Sequence, residues 1–268
     1  MTTTPQPKTS QLPPPERDHY LGLTGANIMG TRAVAETHDR IQKAIKHRAI
    51  VTIHGHVGLG KTFAVHTVLR REAPQTTLRL RFRQAPNMSE LRGALARALD
   101  LPGNISHSAD ESGELIKRAL DDRPGTVLLL DEVQWLSKTA LEYIRDLWGD
   151  DEQRAAVILV GSGNTRQKIL SCPALHSRIY DAYQFSPLTP AEVLTNIPAY
   201  HPIWKNADPD LIQYTDDHAG HGTFRNWAKI TLHLTDAFEA DPTRTLSKDL
   251  IRWVLSRIDP STRMPSNN

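Results

Sequence analysis

The stretch Ile50-Val51-Thr52-Ile53-His54-Gly55-His56-Val57-Gly58-Leu59-Gly60-Lys61-Thr62 constrains this chain more than any other. A β-branched apolar run enters a Gly-x-x-x-x-Gly-Lys-Thr string, and a helical apolar pattern (Phe63, Ala64, Val65, Val68, Leu69) leaves it. Glycines at those positions let backbone N–H groups curl round an anion, the lysine adds a point charge, and the following hydroxyl offers an oxygen to a divalent cation. The helix that starts there turns its positive end toward the same anion. This is a P-loop. Gly55, His56, Val57, Gly58, Leu59, Gly60, Lys61 and Thr62 are the candidate cradle for the phosphates of ATP, with Thr62 also a candidate Mg2+ ligand. A Gly-rich turn without nucleotide is the alternative, and the strand before and helix after argue against it.

Two further apolar runs share the grammar of a parallel sheet, continuous rather than alternating because both faces are covered. Thr126-Val127-Leu128-Leu129-Leu130 closes on Asp131-Glu132, and ligands sit at the carboxyl ends of such strands. Asp131 is the candidate Mg2+ ligand, and Glu132 the candidate general base for an attacking water. Ala155 to Val160 ends in Gly161-Ser162, which makes Ser162 a candidate γ-phosphate sensor and Asn164 the second choice, unless both merely cap the next helix. Arg178 precedes a last strand pattern, Ile179 to Phe185, and Pro187 and Pro190 mark a boundary.

Between these runs the periodicity predicts helices at Arg32 to Arg48, after the P-loop to Arg71 or Glu72, from an N-cap at Ser89, over Ser112 to Leu120, and over Leu141 to Trp148. Thr76 to Arg83 alternates Leu80 and Phe82 against Arg79, Arg81 and Arg83, the period of a strand with one buried face. Its arginines, with Arg92 on the following helix, read either as a charged edge that discourages aggregation or as a stripe tracking DNA phosphates. Beyond Thr189-Pro190-Ala191-Glu192, a capping-box start, only helical patterns follow, including Phe224 to Leu234 and Leu246 to Ile258. His218 and His221 near Asp216 and Asp217 read as a solvated polar turn rather than a metal site.

The chain of 268 residues is long enough for a large core, and its formal net charge of +2 permits a polyanionic partner without demanding one. A single cysteine, Cys172, fits a reducing compartment. With no apolar stretch long enough for a membrane helix and no signal-peptide pattern, the expected location is the cytoplasm, with no membrane partner. The expected organisation is a Pro-rich arm without structure (residues 1–20), a nucleotide-binding domain (21–188), a helical domain (189–260) and a polar tail (261–268).

Taken together, this order of motifs resembles the AAA+ ATPases: a three-layer parallel-sheet P-loop domain followed by a small all-helical lid. More narrowly, Asp131-Glu132-Val133-Gln134, Val160-Gly161-Ser162 and Ser177-Arg178-Ile179 before Pro187-Leu188-Thr189 look like the transposition-regulator branch of Mu B, TnsC and TniB. The resemblance implies that Arg178 is an arginine finger reaching a neighbouring subunit's nucleotide. It also implies that Arg225, in Gly222-Thr223-Phe224-Arg225, is the lid's second sensor. The expected function is a Mg2+-dependent ATPase that forms an ATP-dependent homo-oligomer or filament, binds DNA without sequence preference and directs a transposase or related DNA-processing partner. A nucleotide switch whose lid binds a protein with no DNA contact is the alternative, and a small-molecule P-loop kinase a weaker third.

Overall fold

The computed structural model describes residues 11–82, 84–101, 109–149 and 154–258. These divide into two compact units. One comprises the residues up to Pro13 with Ala33–Val57 and Lys61–Phe185; the other comprises Pro14–Arg32, the loop tip Gly58–Gly60 and the residues from Ser186 onward.

The first unit is a parallel α/β sheet. Its elements run α1 (Arg32–His47), β1 (Ile50–Gly55), α2 (Lys61–Glu72), β2 (Thr77–Arg81), α3 (Met88–Ala98), α4 (Ala109–Asp121), β3 (Val127–Asp131), α5 (Lys138–Trp148), β4 (Ala156–Gly161), α6 (Thr165–Leu170), α7 (Pro173–His176) and β5 (Ile179–Phe185). The five strands are ordered β2-β3-β4-β1-β5. Every residue of β3 and β4 is buried, as the unbroken apolar runs require, whereas the edge strand β5 alternates and β2 does so from Leu78 onward. One sheet face, with Leu78, Leu80, Leu128, Leu130, Val157 and Leu159, packs on Leu91 and Leu95 of α3, Ile116 of α4 and Leu141 and Ile144 of α5. Register brings Arg81 beside Asp131, Asp131 beside Val160 and His54 beside Gly161, so the strand ends that carry the motifs line up. A single 3-10 turn, Val133–Trp135, follows β3; Val133 is buried in it and Trp135 is exposed.

The second unit is helical, with α8 (Pro190–Tyr200), α9 (Pro209–Thr215), a π turn at Asp216–Gly220, α10 (Phe224–Ala240) and α11 (Lys248–Ile258). Its core closes on Trp204 and Trp227, whose rings meet edge to face at 5.0 Å, and the Trp204 Nε1–H donates to Thr231 Oγ1 at 2.9 Å. At its start, Thr189 and Glu192 exchange the reciprocal bonds of a capping box, as the sequence predicts.

Elsewhere the structure revises the sequence reading. Asn87, not Ser89, caps α3, because Asn87-x-x-Glu90 satisfies two orphan N–H groups at once. The helix expected over Phe224 to Leu234 continues to Ala240. Within the arm expected to lack structure, Leu12 is buried, and the Gln11 side chain donates to Ala98 O (2.8 Å) and accepts from the outward-facing Arg79 N–H of edge strand β2 (3.3 Å). A buried leucine and a satisfied edge amide are what a composition count overlooks. Residues 1–10 of that arm and the tail 261–268 lie outside the described residues.

Candidate functional site

The chemistry gathers at the carboxyl ends of β1, β3 and β4. Lys61 opens α2 and is buried, its ammonium donating to the carbonyls of Gly55 (3.0 Å) and His56 (2.6 Å) at the mouth of the loop. Gly58 and Gly60 both sit at φ +88°, a region costly for side-chain-bearing residues. Gly55 is constrained by space: a Cβ there would lie 2.6 Å from Phe185 O on β5. Burial, then the nearby Arg166 and Lys61 cations, hold the imidazole pKa of His54 below its ordinary value.

Asp131 is almost wholly buried and fully engaged. Its Oδ1 accepts from Thr62 Oγ1 (3.2 Å) and from the Glu132 N–H (3.0 Å), and its Oδ2 accepts from Arg79 Nη2 (3.2 Å). The P-loop hydroxyl and the β3 carboxylate are thus brought together. Glu132 takes a left-handed backbone (φ 63°, ψ 42°), uncommon for a residue with a side chain and frequent where a fold holds a functional group in place. Its carboxylate accepts a 2.6 Å bond from Gln134 Nε2.

Two arginines of the stripe, Arg79 and Arg81, turn toward the β3 carboxylates. Arg79 pairs with Asp131 and is only 15% exposed, while Arg81, half exposed, lies 4.0 Å from Asp131 and 3.9 Å from Glu132. Parallel pairing with β3 places both arginines on the face where that strand ends in carboxylates, and charge attraction does the rest. Arg83 lies outside the described residues. Arg92 is half-buried on α3, near Tyr143.

Ser162 is buried at the end of β4, and its backbone N–H donates to Gln134 Oε1 at 2.9 Å. Asn164 is exposed at the N-cap position of α6 and its side chain makes no capping bond. Arg178 stands just before β5, at the opposite end of the sheet, with Nη1 donating to Ala174 O (2.8 Å) and Ser177 Oγ (3.1 Å). One strand length, roughly 20 Å at ~3.3 Å per residue, therefore separates it from the P-loop and the β3 carboxylates of its own chain.

Arg225 belongs to the helical unit, in the first turn of α10, and its N–H donates to Gly58 O (3.1 Å). A Cβ on Gly58 would meet both Arg225 Cβ and Thr223 Cγ2 at 3.1 Å. The turn before α10 hangs on buried Asp216, whose Oδ1 accepts from the Gly222 N–H (2.8 Å) and from Trp227 Nε1 (3.0 Å). His221 is left-handed, and Gly222 (φ +61°) packs so closely that a Cβ would lie 2.3 Å from Leu188 O. His218 bonds Tyr214 O at 2.8 Å, and among the described residues no group of His, Cys, Asp and Glu is arranged to hold a metal.

Thr165 has no place in the sequence reading, while Gln134 enters it only within a family string, Arg79 only as a candidate DNA contact and Asp216 only as part of a polar turn. For Gln134 the signal was its place two residues after Glu132; for the buried Asp216, flanked by polar residues, there was none.

A P-loop between β1 and α2, a carboxylate pair ending β3, a polar end to β4 and the order β2-β3-β4-β1-β5 define a P-loop AAA+ fold, and the helical region is consistent with its lid. Residues 42–169, from within α1 to α6, match the family described as AAA domain. Among solved structures it is similar to Cdc6p from Pyrobaculum aerophilum (17% identity, TM-score 0.69, covering 85% of this chain and 68% of that one). It is also similar to the ORC1 protein of Aeropyrum pernix in complex with DNA (17%, TM-score 0.65, 87% and 66%). A third is the RuvB Holliday junction branch migration motor of Thermotoga maritima (18%, TM-score 0.58, 86% and 70%). At these identities the likeness is one of fold. No curated protein matches in sequence. Among the described residues, no helix is long and apolar enough to cross a membrane.

Proposed function

We propose that this chain is a Mg2+-dependent ATPase that assembles with ATP into a homo-oligomer or filament, binds DNA without sequence preference and directs a transposase or related DNA-processing partner. The observation that carries the ATPase reading is the junction of Thr62, Asp131 and Glu132 beside buried Lys61. The residues fit the groups: a hydroxyl and a carboxylate oxygen are the donors a hard cation takes, and glycines at φ +88° leave room for phosphate oxygens. Bound Mg2+ would supply charge neutralisation at the β/γ oxygens, held by Thr62 and Asp131. Gly55 to Gly60 would cradle the phosphates, Lys61 would exchange its carbonyl partners for phosphate oxygens, and Glu132 would take the proton of the attacking water. Ser162 would sense the γ-phosphate from β4, Arg225 would report it to the lid, and Arg178 would act on a neighbouring subunit's nucleotide.

The DNA and transposase parts rest on the short strings shared with the transposition-regulator branch, and on fold relatives described with DNA or as a junction motor. One observation favours the alternative, a protein switch without DNA contact: Arg79 is committed to Asp131. Arg79, Arg81, Arg83 and Arg92 remain the proposed partners of DNA phosphates, Arg79 by giving up its pair with Asp131.

Two measurements test this reading. Lys61→Ala is expected to abolish ATP binding and Glu132→Gln to keep binding while lowering turnover by about 10²–10⁴; equal loss of binding in both would undo the assignment. In a salt titration of duplex binding by the ATP-loaded protein, Arg81→Gln with Arg92→Gln should lower the salt slope by about one for each phosphate left without its arginine. No duplex binding by the parent would leave the switch reading standing.

A further inference from the structure

Gln134 lies between the proposed base and the end of β4, and both ends of its amide are engaged. Nε2 donates to Glu132 Oε2 at 2.6 Å, and Oε1 accepts the Ser162 N–H at 2.9 Å, with Thr165 Oγ1 at 3.5 Å. The orientation of this amide follows from its partners. A backbone N–H only donates, so the amide oxygen must face Ser162; an ionised carboxylate only accepts, so the amide nitrogen must face Glu132. Flipping the amide would break both bonds.

The pocket around the amide oxygen is shaped for it. A Cβ on Gly161 would lie 2.9 Å from Gln134 Oε1 and 2.2 Å from Thr165 Oγ1. Gly161 is needed there for space, since its backbone is not left-handed. Thr165 is fully buried and donates to Ser162 O at 2.8 Å, which fixes the turn that presents the Ser162 N–H. On the other side, Glu132 is held in a left-handed backbone whose own N–H is tied to Asp131. Three elements, the end of β3, the 3-10 turn after it and the β4–α6 turn, thus meet through one side chain.

We infer that Gln134 is a positioning residue for hydrolysis: its amide ties the Glu132 carboxylate to the Ser162 end of β4, so that the water-activating group and the proposed sensor turn are set together. The inference rests on the ATPase reading above. Gln134 acts through Glu132: its amide aims that carboxylate and donates a charge-assisted bond that selects one carboxylate orientation.

The test uses two substitutions that fill the same space with different chemistry, on the full chain, with ATP and Mg2+. Gln134→Met removes both hydrogen bonds and is expected to lower kcat about 10–100-fold with KM for ATP unchanged, the cost usual for losing an outer partner of a site residue. Gln134→Glu, as a carboxylate, keeps the acceptor toward Ser162 and loses the donor toward Glu132, and it is expected to lower kcat by a similar factor, again with KM for ATP unchanged. A residue that only packs would not show this KM-against-kcat split. Parent-like kcat in both variants overturns the inference. Glu132→Gln measured beside them separates the two readings. If it is inactive while both Gln134 variants match the parent, the relay alone fails; if it turns over at the parent rate, the base assignment fails and the relay with it.

Discussion

The sheet unit and the helical unit hold their candidate arginines and carboxylates by different means. In the sheet unit, Thr62, Asp131, Arg79, Glu132, Gln134 and Ser162 form a continuous run of side-chain and backbone bonds at the ends of buried parallel strands. Apolar runs place these residues, and polar bonds only refine them. In the helical unit, Arg225 emerges from a turn of uncommon backbone, with a π turn, left-handed His221 and crowded Gly222, fastened by the single carboxylate of Asp216. A site on strand ends is set by the whole core, whereas a site on such a turn depends on one buried anchor. Substitutions should therefore lower rate in the first unit and stability in the second.

The largest effect expected falls on Arg178, which lies a strand length from the P-loop and the β3 carboxylates of its own chain. Arg178→Ala should reduce turnover by about 10³–10⁵ if the residue acts as a finger in trans, with monomer affinity for ATP unchanged. Mixing inactive Arg178→Ala with inactive Glu132→Gln should restore activity at mixed interfaces; no recovery in steady-state assays would argue against trans action.

The helical side of the comparison is tested at Asp216. Asp216→Ala leaves the Gly222 and Trp227 N–H groups without their acceptor, which costs about 1–3 kcal/mol for a buried donor. Asp216→Asn keeps an acceptor oxygen and should cost much less. Thermal unfolding checks the order, and equal loss in both variants would mean that the charge rather than the acceptor matters.

The smallest effect concerns pH. His54 has its pKa lowered from the ordinary 6.5, so the unfolded chain binds the proton more readily than the folded one. Its contribution to stability is complete above that value and is lost as pH falls below it toward the lowered pKa. His54→Gln should flatten that acid limb in denaturant titrations from pH 8 to about 5; an unchanged limb would assign it to other groups.

The same contrast explains what could be read from the sequence. The buried strands β1, β3 and β4 and the P-loop between β1 and α2 were legible because a period of burial and a fixed loop spelling are local properties. The pairing of Arg79 with Asp131 was not, since it depends on which strand β2 lies beside. An alternating pattern gives the buried face of an edge strand but not the charge met by its other face. The cap at Asn87 was missed because Ser89 is also a good cap and only the reciprocal Glu90 distinguishes them. Asp216 looked like one carboxylate among several in a polar turn, and its anchoring role follows from Trp227 and Gly222 folding back onto it.

Trp135 closes the turn that begins at Val133, next to Gln134, and its indole is 44% exposed, whereas Trp148, Trp204 and Trp227 are each at most 8% exposed. An indole in water emits at longer wavelength than one in a protein interior, so the red side of the intrinsic fluorescence reports chiefly on Trp135 and on Trp253 of α11. With Trp253→Phe as background, the chain carries its own dye three residues from the proposed base, and a stopped-flow trace during ATP mixing would time events at that turn without any label.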